Sequence, residues 1–322
     1  MSSEHLSGQS LPLEAVVARQ RRRHLFRDLY RGKLLYLMLL PGLAYFIVYR
    51  YIPMYGVTIA FRDFRVTRGI TGSPWVGLTV FRSVFNAPFF WQVFRNTVII
   101  SFYKVFLAFP APIILALMMN EIRSQWYKRT VQTIMYLPHF LSWVVAAHLI
   151  LVFMGPHTGV FSRLYLELTG VRFEALVSPR SFRGLLVVTE IWKTAGWGTI
   201  IYLAALSSID PTLYEAAIID GARKHQQIRY VTIPSIMPVI VIMFILRVGQ
   251  ILDAGFEQVF VLQNPLVYEV SEILDTYVYK TAFQQGRYAF GAAVGLFKSS
   301  IGLVLVATTN YLARRFGQEG MW

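Results

Sequence analysis

Six stretches of about twenty residues, each rich in Leu, Ile, Val, Phe and Ala, set the first limit on this chain. They lie near 34–56, 96–118, 131–154, 184–206, 232–252 and 290–312. A helix of about 20 apolar residues spans the hydrocarbon core of a bilayer, because each residue adds about 1.5 Å. No ladder of alternating ten-residue segments appears, which argues against an outer-membrane barrel. Composition agrees: 55% of residues are hydrophobic and 15% charged, against about 45–50% and about 25% in a soluble domain. The expected fold class is all-α, an integral membrane bundle of six helices.

The net charge is +14, from 31 Lys+Arg against 17 Asp+Glu. In a soluble chain that excess points to nucleic acid; in an apolar one it marks loops retained in the cytoplasm. Arg19, Arg21, Arg22, Arg23, Arg27, Arg31 and Lys33 precede the first span. Residues 1–33 therefore read as a cytoplasmic basic leader, with no role in nucleic-acid binding. The first span is too long for a signal-peptide core and lacks a small-residue cleavage site. Six spans place both termini inside. The transmembrane domain runs over 34–312, and 313–322 form a cytoplasmic tail. The inside segments hold 15 basic residues and the outside segments 57–95, 155–183 and 253–289 hold 11. With no cysteine, disulfides, thiolate metal sites and a cysteine nucleophile are excluded.

Charges inside spans are costly and face a cavity or a partner. Glu190, Lys193 and Trp197 fall at i, i+3 and i+7 of the fourth span, with Trp192 beside them. Glu190 and Lys193 can pair and hold the bundle, or can line a path with an aromatic platform suited to a sugar. Arg247 and Gln250 form a similar i, i+3 pair on the fifth span. Lys104 and Lys298 can snorkel or pair across an interface. His139 reads as a local hydrogen-bonding residue, and Gly291-x-x-x-Gly295 as close helix packing.

Residues 210–231 are the most informative loop. Asp210 suits an N-cap and Pro211 a first helical position. Leu213 to Ile218 make a short helix with a small, apolar surface. Gly221 turns it, Ala222–Tyr230 can form a second helix, and Pro234 opens the next span. The sequence Glu215-Ala216-Ala217, then Asp220-Gly221-Ala222, then Pro234 and Pro238 resembles the EAA loop of ABC importer permeases. An aliphatic residue, Ile228, stands where the motif often has an aromatic one. Segments such as Pro53-Met54-Tyr55-Gly56, Gly72-Ser73-Pro74-Trp75-Val76-Gly77, Tyr136–Trp143, Gly196-Trp197-Gly198 and Asn264–Glu269 look like the polysaccharide and complex-oligosaccharide branch of that family. Within it, the chain resembles the larger permease subunits of the alginate importers of sphingomonads.

The resemblance implies a type I importer transmembrane domain. It implies a heterodimer with a second homologous permease, two copies of an ABC ATPase below and a periplasmic solute-binding protein above. The setting would be the bacterial inner membrane. Glu215, Ala216, Ala217, Asp220, Gly221 and Ala222 would form the coupling helix that the ATPase grips. A saccharide would pass Glu190, Trp192, Lys193, Trp197, Arg247 and Gln250. This chain would carry no cofactor and no metal; ATP and Mg would belong to the ATPase. The chain has no G-x-x-x-x-G-K-[ST] loop, its single Gly-Lys pair being Gly32-Lys33, and no HExxH.

The outside segments sum to +3, mildly favourable to a uronate-containing cargo such as alginate and compatible with a neutral complex oligosaccharide. An ion-coupled sugar transporter would account for the charges in the spans but not for the 210–231 pattern. A membrane enzyme would need a carboxylate cluster. Asp253, Glu257, Glu269, Glu272 and Asp275 are spread over some twenty residues without metal-ligand spacing; docking of a binding protein is the alternative use for them.

Overall fold

The computed structural model describes residues 32–315 and 317. The expected leader, apart from Gly32 and Lys33, and most of the expected tail lie outside the described residues. Among the described residues the backbone is helical, apart from loops and one isolated bridge between Arg62 and Trp75.

The chain divides into residues 1–58 and 59–322. The first unit is dominated by α1 (Lys33–Phe61), long and apolar enough to cross a membrane. Residues 33–55 of this helix are exposed, the condition of a helix whose surroundings are lipid or another protein, while its last turn, with Ala60 buried, belongs to the second unit.

The second unit opens with α2 (Thr79–Phe85), α3 (Phe90–Asn120), α4 (Gln125–Phe140), α5 (Trp143–Met154) and α6 (Val160–Thr169). It continues with α7 (Pro179–Ser207), α8 (Pro211–Ile219), α9 (Lys224–Gly249), α10 (Phe256–Leu262), α11 (Leu274–Val278) and α12 (Tyr288–Arg315). The helices α3, α9 and α12 are long and apolar enough to span. The expected third span is not one rod: α4 and α5 meet at 105°. Leu141 is extended between them, and the Ser142 Oγ accepts from the Val145 N–H at 3.3 Å, starting a new helix. A serine in that role competes with helix continuation. The expected fourth span lies within α7, whose 29 residues are long enough to cross. Its eleven buried residues and its Arg183, Glu190 and Lys193 make it a central helix rather than a lipid-facing one.

Three packed clusters hold this unit. One joins Ile100 of α3, Ile150 of α5, Phe182 and Leu186 of α7, and Val259 of α10. A second gathers Val84, Phe90 and Val93 around Phe290 and Val294 of α12. The third joins Ala116, Tyr202, Leu206 and Ile236. In lipid such clusters are favoured by close packing more than by removal from water. Gly291 is an instance: a Cβ there would come within 2.6 Å of the Ala282 Cβ, while one on Gly295 would meet open space. The expected two-glycine packing surface therefore uses one glycine.

Proline leaves a mark on three helices. Wide π-turns cover Ile47–Tyr51, Lys104–Ala108 and Ile228–Thr232, each starting six residues before Pro53, Pro110 or Pro234. The residue before each proline donates its N–H five residues back, as Phe109 does to the Lys104 carbonyl at 3.1 Å. A proline ring strikes the carbonyl four residues earlier and offers no N–H. Widening the preceding turn moves that carbonyl aside and keeps the helix running. This is why the second helix of the 210–231 loop does not stop before Pro234 as expected. It continues through Pro234 and Pro238 as α9.

Candidate functional site

Two regions of the 59–322 unit gather residues expected to be functional. The first is the turn around α8. The Asp210 Oδ1 accepts from the Thr212 N–H at 2.9 Å and caps the helix. At the other end Gly221 has φ +77°, the left-handed region. The Gly221 N–H reaches the Ile218 carbonyl at 3.0 Å and the Ala222 N–H the Ala217 carbonyl at 2.9 Å, a Schellman closure. The turn is fastened to α9 by the Tyr214 hydroxyl against the Thr232 hydroxyl at 3.0 Å, and by the Gln227 amide donating to the Ala222 carbonyl at 2.9 Å. Lys224 pairs with Glu121 at 3.1 Å on the surface.

With the backbone so fixed, α8 presents its side chains outward. Glu215, Ala216, Asp220 and Gly221 are exposed, and Ala217 and Ala222 half-buried. Ile219 is 86% exposed and Ile218 61%. Adjacent exposed isoleucines on a rigid turn are the mark of a contact surface, and the small residues on either side of them let a partner approach closely.

The second region is a charged centre. Lys104, on the π-turn of α3, is 1% exposed. Its Nζ donates to the Glu190 Oε2 at 3.3 Å, the Ala254 carbonyl at 2.8 Å and the Gln258 Oε1 at 2.5 Å. Gln258 in turn donates to the Leu186 carbonyl and the Thr189 hydroxyl, both at 2.7 Å. The Glu190 Oε1 faces Arg247 at 3.6 Å. A buried ammonium is tolerated only when its protons are all placed, and here three acceptors receive them.

The expected Glu190–Lys193 pair does not form. Glu190 turns to Lys104 and Arg247, while the Lys193 Nζ donates to the His139 carbonyl at 3.1 Å and lies 5.3 Å from the Trp143 ring centre. The break between α4 and α5 leaves backbone oxygens without helical donors, and Lys193 supplies one. His139 stacks flat on Trp197 at 4.6 Å, with Phe140 edge-on to the same indole. The six path residues thus separate. Glu190 and Arg247 meet at the charged centre, and Lys193 and Trp197 meet at the α4–α5 break. Trp192 lines an apolar cleft of about 460 Å³ with Phe153 and Phe161. Gln250 ends α9: its N–H donates to the Arg247 carbonyl at 3.2 Å and its own carbonyl accepts from the Asp253 N–H, so Arg247 and Gln250 are joined through the backbone.

Sequence reasoning left Lys104 and Gln258 out of the path. The cost of a lysine amid apolar residues was the available signal; its partner, 86 residues away, had no local trace. Lys298, left open between snorkelling and an interface, holds both oxygens of Asp275 at 2.8 Å. Glu272 pairs with Lys280 at 2.8 Å. Two of the five acids of 253–275 are therefore spent internally. Among the described residues no group of three His, Cys, Asp or Glu is placed to hold a metal ion.

Residues 108–318 match the family described as binding-protein-dependent transport system inner membrane component. Protein LplB of Bacillus subtilis is 45% identical over 294 residues, which are 91% of this chain and 92% of that protein. The polygalacturonan/rhamnogalacturonan transport system permease protein YteP of Bacillus subtilis is 42% identical, with 98% of each chain covered. Among solved structures, a chain of a bacterial ABC transporter involved in the import of the acidic polysaccharide alginate superposes with a TM-score of 0.84. It is 39% identical, and 91% of this chain and 99% of that one are covered. A chain of a bacterial alginate ABC transporter in complex with alginate pentasaccharide-bound periplasmic protein gives 0.84 and 38%, covering 92% and 99%.

Proposed function

The chain belongs to the family of binding-protein-dependent transport system inner membrane components, and from that premise we propose that it conducts an acidic poly- or oligosaccharide inward. It is a membrane-embedded permease subunit of an ABC importer for sugars or polysaccharides. It is a transport subunit and not an enzyme; the ATPase is a separate subunit. The acidic cargo is supported by two relatives: one named for polygalacturonan and rhamnogalacturonan, the other drawn from an importer of alginate. All three polysaccharides contain uronate residues.

The assembly we propose has a second homologous permease beside this one, two ATPase copies below with ATP and Mg, and a periplasmic solute-binding protein above. The last is supported by the alginate transporter complexed with its loaded periplasmic protein. The setting is the inner membrane, with six spans, both termini cytoplasmic and residues 210–231 on the inside.

One observation carries the mechanism: α8 is capped, closed and fastened to α9, yet exposes Glu215, Ile218 and Ile219. A rigid knob of that kind transmits a push. Closure of the ATPase dimer on ATP moves α8, and α9 moves with it because Tyr214 and Gln227 tie the two. Arg247 lies near the far end of α9, in contact with Glu190 of α7. Movement of α9 therefore alters the charged centre, and nucleotide biases a two-state pore. Along the path Glu190 and Arg247 meet carboxylates and hydroxyls, Trp197 and Trp192 offer faces for sugar rings, and Lys193 and Gln250 offer donors.

The test is uptake by the whole importer in proteoliposomes. Vanadate-sensitive, ATP-dependent import is expected, with uronate oligomers as cargo. Glu215→Lys and Gly221→Pro should abolish import while the chain stays in the membrane. Full saccharide-stimulated ATPase activity in either variant would reject the coupling role.

A further inference from the structure

A second cleft, of about 470 Å³, lies between the loop 62–80 with α2 and the start of α12. We propose that it is an outer subsite for a uronate residue of the incoming saccharide. This rests on the acidic-saccharide reading and on residues 57–95 facing outward.

Two guanidinium groups line the cleft. Arg62 is held by the Gly72–Gly77 segment: its Nη1 donates to the Ser73 carbonyl at 2.8 Å, and its Cζ lies 5.5 Å from the Trp75 ring centre. Ser73 is itself buried, its hydroxyl donating to the Gly69 carbonyl at 2.6 Å. Trp75 is stacked on Phe61 at 5.4 Å. Arg287 rests on the face of Phe290 at 4.6 Å and is otherwise exposed. Among the described residues neither arginine is in an ion pair. The acid of the cleft, Asp63, is engaged by Arg65 at 3.5 Å. Two cationic forks, Arg62 held and Arg287 exposed over an aromatic ring, thus stand without an ion pair in a concave space, an arrangement that favours a planar carboxylate.

The remaining lining suits a sugar. Tyr288 is braced edge-on by Phe64 at 6.1 Å and offers a ring face with a hydroxyl. Thr79 and Ser83 already donate their hydroxyl protons to the Val76 and Val80 carbonyls, at 2.8 and 2.6 Å. Their lone pairs remain for the hydroxyls of a ligand. The volume falls in the range of small-ligand sites, about 300–1,000 Å³. A protein side chain would need the charges but not the aromatic face and paired acceptors. Val80 and Phe290 of the lining pack into the cluster that holds Val84 and Phe90, which fixes that wall of the cleft before a ligand arrives.

The experiment uses the whole importer in proteoliposomes, with trigalacturonate and its carboxyl-reduced neutral counterpart as probes. For Arg287→Gln, the ratio of KM for the acidic probe to KM for the neutral one should rise about tenfold, the loss of one charge-assisted contact. Arg287→Lys should recover part of it. An unchanged ratio, in an importer whose wild type takes up trigalacturonate, overturns the subsite and leaves the acidic-cargo reading standing. A wild type that imports only the neutral probe overturns that reading, and the subsite with it. Tenfold weaker docking of the saccharide-free binding protein to Arg287→Gln would assign the cleft to protein contact and also overturn the proposal. A second measurement needs no change at Arg287. Trigalacturonate added without binding protein should alter the tryptophan emission that Trp75→Phe removes; no such change counts against the site.

Discussion

The turn at α8 and the charged centre around Lys104 are opposite kinds of site. At α8 the contacts that set the shape join residues at most 18 apart in sequence, and the functional side chains point away from the fold. At the charged centre the partners are 86 and 154 residues away, and Lys104 points inward. The first is shaped by local backbone chemistry and can be damaged functionally without unfolding anything. The second is shaped by tertiary packing, so its chemistry and its stability are one property.

That contrast can be broken most forcefully at Lys104. Lys104→Met leaves Glu190 and Gln258 without their shared donor in a low-dielectric site. Removing one member of a buried pair costs about 3–5 kcal/mol. Loss of the folded complex on mild heating is expected, and Glu190→Gln in the same chain should recover much of it. A Lys104→Met complex as stable as wild type would mean that the centre serves only transport.

A smaller loss is expected at Gly196, where α7 meets α4. A Cβ there would stand 2.0 Å from the Met135 carbonyl oxygen. Gly196→Ala should therefore force the helices apart, at about 1–3 kcal/mol for overpacking, read as a lowered melting temperature of the purified complex.

On the α8 side effects on transport should outrun effects on stability. Tyr214→Phe removes one hydrogen bond, worth about 1 kcal/mol. It should lower import several-fold while the melting temperature moves little. If stability falls as far as import does, the two regions are not different in kind.

The smallest effect concerns acid. The Asp210 carboxyl is held below the ordinary carboxylate value by hydrogen bonding from Thr212. Its cap is therefore complete above the unfolded-state pKa and is lost as pH falls through the depressed native value. Amide exchange of residues 211–214 should quicken on that descent. Asp210→Asn, which caps without titrating, should remove the dependence.

The sequence is legible where the physics is local. Asp210, Pro211 and Gly221 announce α8 because an N-cap, a pre-set φ and a positive φ are properties of single residues. The long apolar helices are legible for the same reason. The fate of residues 131–154 is not, since a bend at Leu141 depends on what Ser142 and Lys193 find nearby. The pairing of Glu190 is not legible either, because Lys193, three residues on, is the nearest base in sequence, whereas Lys104 and Arg247 are its partners in space. Likewise Gln258, which accepts from Lys104, lies in the short helix α10, whose sequence carries no recognisable pattern.

The proline-linked π-turns have a consequence for how this sequence is read along each rod. A π-turn accommodates one residue more than an α-turn would, which rotates everything beyond it by about 100° and advances it by about 1.5 Å. Before and after Lys104–Ala108, and again around Ile228–Thr232, the helix keeps two different angular frames. A stripe of side chains drawn with one period through the whole of α3 or α9 therefore changes sides at the turn. Deleting one residue there would not shorten the helix so much as re-aim half of it, turning one set of side chains away from the neighbours it now packs against.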